Sequence, residues 1–207
     1  MNLFERVKNI IVTPKTEWTV ISKENTSPAD MITKYVLPLA ALSAIASFIG
    51  YGLVGTSVFG LKVSGINWGV YHAANVLISA VLGVLVSAWV IDMLAPSFKS
   101  EKDMNASIRL TSYTFTPAWV GGLLFILPSI AMIGALFGLY GLYLLYIGLP
   151  EMKKTPREQQ TSYFVVSLIV MIVVLWLVGL VVGKLLMSVF GLAQPTPDLD
   201  SIFKGLQ

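Results

Sequence analysis

From residue 35 onward, long apolar runs alternate with short polar segments along the chain. The apolar runs are about 20 or more residues long, which is the length that an α-helix needs to cross the hydrocarbon core of a bilayer. We place transmembrane helices at residues 35–54, 70–94, 109–127, 130–149 and 163–186. The pattern therefore predicts an all-α fold, a polytopic membrane helix bundle with five transmembrane helices.

The third and fourth helices come from one apolar run, residues 110–149. As a single helix this run would measure about 60 Å, twice the ~30 Å thickness of the hydrocarbon. Pro128 lies near its centre, where a proline removes a backbone donor and breaks a helix. We therefore predict a tight turn between two crossing helices. The alternative is a broken, re-entrant pair that does not fully cross.

The first 33 residues are polar overall, but their apolar residues follow a helical spacing. One helical face carries Leu3, Phe4, Val7, Ile10 and Ile11, and most of the charged residues fall on the other face. Since this arrangement is typical of helices that lie in the membrane interface, we predict an N-terminal amphipathic interfacial helix. A second short helix is predicted at residues 16–22, either along the membrane surface or against the bundle. The alternative is a partly ordered leader. The uninterrupted apolar segment of a secretory signal peptide is missing from this stretch.

Basic residues divide unequally between the two predicted sides of the membrane. The leader and the loops after the second and fourth helices hold 11 of them, and the other side receives only Lys62, Lys184 and Lys204. Because basic residues concentrate on the cytoplasmic side, we predict a cytoplasmic N-terminus and an external C-terminus. The predicted parts are a cytoplasmic amphipathic leader (1–33), a transmembrane domain (34–190) and a short external tail (191–207).

Composition supports the membrane assignment and narrows the chemistry. Apolar residues make up 56% of the chain and charged residues 12%, about half the ~25% of a soluble domain. The net charge of +3 is small and is explained by orientation signals, so we expect no nucleic-acid partner. With no cysteine and a single histidine, we expect neither a disulfide nor a multi-histidine metal site. We predict no cofactor and no enzymatic activity.

Polar residues form a stripe along the second predicted transmembrane helix. The stripe consists of His72, Asn75, Ser79, Gly83 and Ser87. An unmatched polar group costs several kcal/mol in hydrocarbon, so the stripe should face protein or water. Two structures fit this requirement: a closely packed, hydrogen-bonded seam, which we favour, or a hydrophilic cavity open to the outside with His72 near its mouth.

Two charged residues border the loop between the second and third predicted helices. Asp92 lies near the end of the second helix and Arg109 opens the third. On sequential antiparallel helices the two side chains should sit at similar depth, so we predict that they form a structural pair at the cytoplasmic rim. Charges at membrane depth are often functional, and a role in transport is the alternative.

Small residues mark predicted contacts between helices. Ala40 and Ala44 are four apart in the first helix, and the fourth and fifth helices contain Gly134-x-x-x-Gly138 and Gly179-x-x-x-Gly183. Such spacings allow helix backbones to approach closely. The contacts fit packing within one chain or between chains, so a homo-oligomer or a protein partner held through these faces is an open alternative.

The third and fourth predicted helices also carry a recognisable motif. Residues 110–117 have the sequence Leu-Thr-Ser-Tyr-Thr-Phe-Thr-Pro, and residues 138–150 have Gly-Leu-Tyr-Gly-Leu-Tyr-Leu-Leu-Tyr-Ile-Gly-Leu-Pro. Their order and spacing resemble the Yip1 domain family, which makes Tyr113 and Pro117 candidate functional positions. The resemblance covers about residues 1–185 and implies five transmembrane helices with a cytoplasmic N-terminus.

Eukaryotic members of this family are associated with vesicle trafficking and Rab GTPases. The leader here is only about 33 residues long and differs from theirs, so we do not carry over a GTPase partner. The chain looks like a bacterial member of the inner membrane, and the resemblance supplies no catalytic residue. We therefore expect a non-enzymatic membrane protein that organises membrane lipids or protein partners. The alternative is a small transporter or permease component, with the polar stripe as its pathway and Asp92 and Arg109 as its inner gate.

Overall fold

The computed structural model describes residues 2–58 and 61–192. In these residues the chain folds into helices joined by short connections, together with one small β-hairpin. Most of the predicted external tail, residues 193–207, lies outside the described residues.

Four helices are long and apolar enough to cross a membrane in the described part of the chain. They span Pro28–Val54, Ile66–Phe98, Pro128–Lys153 and Arg157–Val189. These helices correspond to the first, second, fourth and fifth predicted transmembrane helices. The all-α fold class and the membrane character are therefore confirmed, with four candidate crossings.

Each long helix contains a regular α-helical part. The first consists of α3 (Pro28–Met31), a π-helical turn (Ile32–Val36), α4 (Leu37–Ser47) and a second π-helical turn (Phe48–Val54). The second is α5 (Ile66–Leu94), which a 3-10 turn extends to Phe98. The other two are α8 (Ala131–Lys153), which follows a 3-10 turn at Pro128–Ile130, and α9 (Arg157–Val189).

The third predicted helix, residues 109–127, is broken and is not one of the four candidate crossings. It consists of α6 (Met104–Thr114), α7 (Thr116–Gly121) and a 3-10 turn (Gly122–Ile126). The break falls at Phe115 because the ring of Pro117 is incompatible with the carbonyl four residues earlier in a continuous helix. The apolar pattern located the segment but did not show the break.

The fold places α6 at the centre of the bundle. All nine residues from Ala106 to Thr114 are buried. An antiparallel contact with α8 explains part of this burial: Gly141 packs against the Thr114 backbone and Gly148 against Leu110. On another side, the hydroxyl of Thr111 donates a hydrogen bond to the Val84 carbonyl of α5 at 3.2 Å. The polar residues of α6 are thus enclosed by other helices.

The turn at Pro128 reverses the chain as the sequence predicts. Leu127 is extended, with φ −120° and ψ 94°, immediately before the proline. Beyond the turn, α8 lies so close to α7 that a Cβ added at Gly134 would come within 2.5 Å of the Gly121 carbonyl oxygen. A glycine is therefore required at this crossing.

The leader forms two short helices, α1 (Leu3–Val12) and α2 (Pro14–Ile21). Asn2 caps α1 by accepting a hydrogen bond from the Phe4 backbone N–H at 3.1 Å. Ile10, Trp18 and Ile21 are fully buried against the bundle. Part of the apolar face of the leader therefore contacts other helices, while Phe4 remains 78% exposed. The placement of the leader in a membrane interface stays a prediction.

A β-hairpin connects the first long helix to α5. Strands β1 (Thr56–Val58) and β2 (Leu61–Val63) are antiparallel, with Thr56 opposite Val63. The hydropathy pattern gave no sign of these two short strands.

Candidate functional site

A buried lysine joins three helices at one end of the bundle. Lys153, in the last turn of α8, has no exposed side-chain surface. Its ammonium donates to Asp92 Oδ1 of α5 at 2.8 Å, to Ser107 Oγ of α6 at 2.8 Å and to the Asp103 carbonyl at 2.9 Å. These three acceptors use all three donors of the ammonium. We call Lys153, Asp92 and Ser107 the lysine cluster.

The predicted pair between Asp92 and Arg109 is wrong, because Asp92 pairs with Lys153. Ser107 faces Asp92, and Arg109 lies two residues further along α6, which rotates its side chain by roughly 200°. Arg109 is 94% buried, and its Nε has no hydrogen-bond partner.

The sequence contains a signal for the burial of Lys153. Leu145, Leu149 and Lys153 are spaced by four residues, and all three are buried on one face of α8. The lysine therefore continues an apolar stripe. The hydropathy pattern predicts Lys153 in a cytoplasmic loop beside Lys154, but only Lys154 is exposed, with 71% of its side chain accessible.

A second buried ion pair fixes the leader. Arg6 of α1 forms ion pairs with Glu17 of α2 and with Glu24. Its guanidinium lies over the ring of Tyr113, 5.5 Å from the ring centroid, which is within the range of a cation–π contact. Arg6 and Glu17 are both more than 90% buried. We call Arg6, Glu17, Glu24 and Tyr113 the arginine cluster.

Tyr113, one of the two motif residues, is the contact point of this cluster on α6. Its ring meets Trp18 of α2 edge-on at 6.1 Å and Tyr35 at 4.7 Å between ring centroids. The Tyr35 hydroxyl is hydrogen-bonded to Thr116 Oγ1 at 2.7 Å. The motif tyrosine therefore joins the leader and the first long helix to α6.

The helical pattern predicts Arg6 on the polar face of the leader helix, but the structure buries its side chain. Arg6 lies three residues after Leu3 and four before Ile10, so it shares their face. That spacing was the available signal. Its partners Glu17 and Glu24 are 11 and 18 residues away, so helical periodicity alone did not identify them.

A polar cavity of about 320 Å³ lies beside the arginine cluster. Arg6, Glu24, Asp30, Lys34 and Tyr113 contribute to its wall. Lys34 pairs with Asp30 at 2.6 Å, one turn apart, and both side chains are exposed. The cavity is therefore lined by charges of both signs.

Pro117, the other motif residue, is buried in the first turn of α7. By ending α6 at residue 114 it sets the direction of α7, which crosses the first long helix closely. Ser43 Oγ donates to the Trp119 carbonyl at 2.6 Å, and a Cβ added at Gly122 would come within 2.7 Å of Ser43 Oγ.

The structure divides the polar stripe of α5 into two parts. His72 stacks on Tyr51 at 3.8 Å between ring centroids, and its Nε2 is buried without a hydrogen-bond partner. Ser79 donates to Asn75 on the same helix at 3.4 Å. Gly83 and Ser87 are buried further along α5. His72, Asn75 and Ser79 thus lie apart from Asp92, Arg109 and Tyr113.

The described residues hold no group of three or more His, Asp or Glu side chains suited to a metal ion. The polar groups of the two clusters are joined mainly to one another, and this arrangement binds helices together.

Comparison with known proteins identifies a family. The Yip1 domain model matches residues 8–180, which include most of the leader, the motif residues and the lysine cluster, and which begin two residues after Arg6 of the arginine cluster. We found no match among curated proteins or solved structures.

Proposed function

The chain belongs to the Yip1 domain family, and from this premise we propose that it is a non-enzymatic integral membrane protein that organises membrane lipids or protein partners. The observation that carries the proposal is the docked leader. The arginine cluster holds α1 and α2 on the bundle through buried charges, while Lys8, Lys15 and Lys23 of the same leader remain exposed.

Such a leader is suited to recruiting anionic lipid. A lysine near an anionic membrane surface contributes about 1 kcal/mol to attraction. Docking fixes the exposed lysines at one place on the protein instead of on a free segment. The same surface is available to an acidic protein partner, which makes protein recruitment the second form of the same function.

We infer that the broken third helix is a fifth crossing. From Met104 to Ile126 the segment contains 17 α-helical and five 3-10 residues, which together measure about 35 Å. Its contacts run antiparallel to α8 and parallel to α4, as alternating crossings require. Five crossings, together with the distribution of basic residues, support a cytoplasmic N-terminus and an external C-terminus in a bacterial inner membrane.

Reporter fusions test the topology. Fusions after Lys23, Lys102 and Lys154 are expected to report the cytoplasm, and fusions after Lys62 and Lys204 the outside. If the fusions at Lys23 and Lys204 report the same side, the five-crossing arrangement is refuted.

Cysteine labelling distinguishes an organiser from a transporter. The chain has no native cysteine, so single cysteines at His72, Ser79 and Gly83 can be probed with a membrane-impermeant thiol reagent from outside. An organiser predicts labelling at His72 only. Labelling that continues through Ser79 and Gly83 would show an aqueous path along α5 and favour transport.

Lipid composition tests recruitment directly. The protein is extracted with its surrounding lipids in polymer nanodiscs, and the ratio of anionic to zwitterionic phospholipid is measured. Replacing Lys8, Lys15 and Lys23 with Gln is expected to lower this ratio, whereas Lys184→Gln, outside the leader, is the control and leaves it unchanged. An unchanged ratio in the triple variant contradicts lipid recruitment by the leader.

A further inference from the structure

An apolar cavity of about 220 Å³ lies inside the bundle, on a different face of α6 from the arginine cluster. Its wall is built by five helices, α5 to α9, and nearly all of it is apolar, with Leu145, Met171 and Leu175 as large contributors. In soluble proteins an apolar cavity of about 150 Å³ binds a benzene-sized guest. This cavity therefore has room for a longer hydrocarbon segment.

The cavity reaches the surface beside α9. Ile172 of α9 belongs to its wall and is 58% exposed, so this side chain lies at the mouth. Both α8 and α9 are candidate membrane crossings. In a bilayer the mouth therefore faces acyl chains, which are the apolar groups that surround such a surface.

Glycine keeps the cavity open on the α8 side. A Cβ added at Gly138 would meet nothing closer than the Ala118 side chain at 4.0 Å. Gly141, one turn later, is in tight contact instead, 2.6 Å from the Thr114 carbonyl oxygen. Close packing thus explains the glycine at 141, and at 138 the glycine leaves empty space.

The wall also contains two hydroxyl groups whose hydrogen-bonding capacity is unused. Ser87 Oγ and Thr114 Oγ1 are buried and have no hydrogen-bond partner. Ser87 lies five residues before Asp92, about 7.5 Å along the axis of α5 from the lysine cluster. A phospholipid could enter with its headgroup at the end of the bundle that holds the lysine cluster. Its ester carbonyl, which can only accept hydrogen bonds, would then lie near these hydroxyl donors.

We propose that this cavity is a binding site for one acyl chain of a membrane phospholipid, which enters laterally beside α9. The proposal deepens the proposed function, on which it rests for the membrane setting, by naming a lipid that is held within the fold. The cysteine labelling along α5 tests the proposed function, and the lipid measurement below tests the cavity. Neither measurement depends on the other, so the failure of one is distinguishable from the failure of the other.

Retention of lipid after delipidation is the decisive measurement. The full chain is purified in detergent, washed to remove surface lipid and examined by native mass spectrometry. We expect one phospholipid per chain in the wild type and a loss of at least tenfold in Gly138→Leu, whose side chain would fill the cavity. Gly179→Leu is the matched control, because position 179 of α9 has nothing within 4 Å.

A second pair of variants covers the case in which Gly138→Leu does not fold. Ile172→Trp places a large ring at the mouth, and Ile169→Trp changes a residue of equal exposure, 57%, that is not part of the wall. Loss of the phospholipid in Ile172→Trp but not in Ile169→Trp supports the site. The proposal is overturned if all variants retain the phospholipid equally, or if test and control variants lose it equally. It is also overturned if the retained mass matches a detergent or a free fatty acid.

Discussion

Removing the buried ammonium of Lys153 should destabilise the bundle more than any exposed charge does. Lys153→Met keeps most of the apolar stem but leaves the Asp92 carboxylate, which is 96% buried, with only the 3.3 Å hydrogen bond from Ser107. Removing one partner of a buried ion pair costs about 3–5 kcal/mol. We therefore expect the free energy of unfolding to fall by about that amount.

The adjacent residue provides the control. Lys154 pairs with Glu101 at 2.7 Å, nearly the same distance as the 2.8 Å between Lys153 and Asp92, but both of its side chains are exposed. Exposed ion pairs contribute only ~0–1 kcal/mol. The free energy of unfolding of Lys154→Met should therefore stay close to that of the wild type. Reversible unfolding by sodium dodecyl sulfate in mixed micelles, followed by circular dichroism, measures both variants.

A double variant separates the ion pair from packing. Asp92→Leu combined with Lys153→Met removes both charges, so no buried carboxylate is left without its partner, and it should recover at least half of the loss. If Lys153→Met and Lys154→Met have equal effects, or if the double variant is less stable than Lys153→Met alone, the attribution to a buried charge is refuted.

Three further predictions concern the leader and the helix contacts. Arg6→Leu leaves Glu17 buried without its cation and should increase the protease sensitivity and amide exchange of α1 and α2 at least tenfold. Lys8 is exposed, so Lys8→Leu should not have this effect. Equal protection in both variants would contradict the role of Arg6 in holding the leader on the bundle. Gly141→Ala forces a methyl group against the Thr114 backbone and should lower the free energy of unfolding by about 1–3 kcal/mol in the same detergent titration. Gly179 lies in open space, so Gly179→Ala should leave the free energy of unfolding unchanged. The reverse order of the two variants would refute the contact. Tyr35→Phe removes one buried hydrogen bond to α7 and should cost about 1 kcal/mol, and no change in the unfolding midpoint would count against that bond.

The positions of the long helices could be predicted because a membrane imposes the same requirement on every crossing. Residues 70–94 lie within the helix Ile66–Phe98, and residues 130–149 within Pro128–Lys153. The local physics of proline also predicted the turn at Pro128. The same physics at Pro117 breaks the third helix, but the surrounding apolar pattern concealed this break.

The charged contacts were harder to predict because they depend on which helices become neighbours. Lys153 and Asp92 are 61 residues apart, and no pattern in the sequence links them. The pairing with Arg109 assumed that proximity in the chain decides the partner, whereas the rotation of α6 decides it. Tyr113 was found through the family motif, and its contacts with Arg6 and Trp18 became visible only in the fold.

The docked leader also has a consequence for biosynthesis. The Tyr140 hydroxyl donates a hydrogen bond to the Ile11 carbonyl across 129 residues of chain. At translation rates of 5–20 residues per second, the leader waits roughly 6–25 s before α8 is made. During that interval the part of the docking surface that α8 supplies is missing, so the apolar side chains of the leader are incompletely shielded from water. We therefore expect the amphipathic leader to rest on the bilayer surface until α8 completes its docking surface.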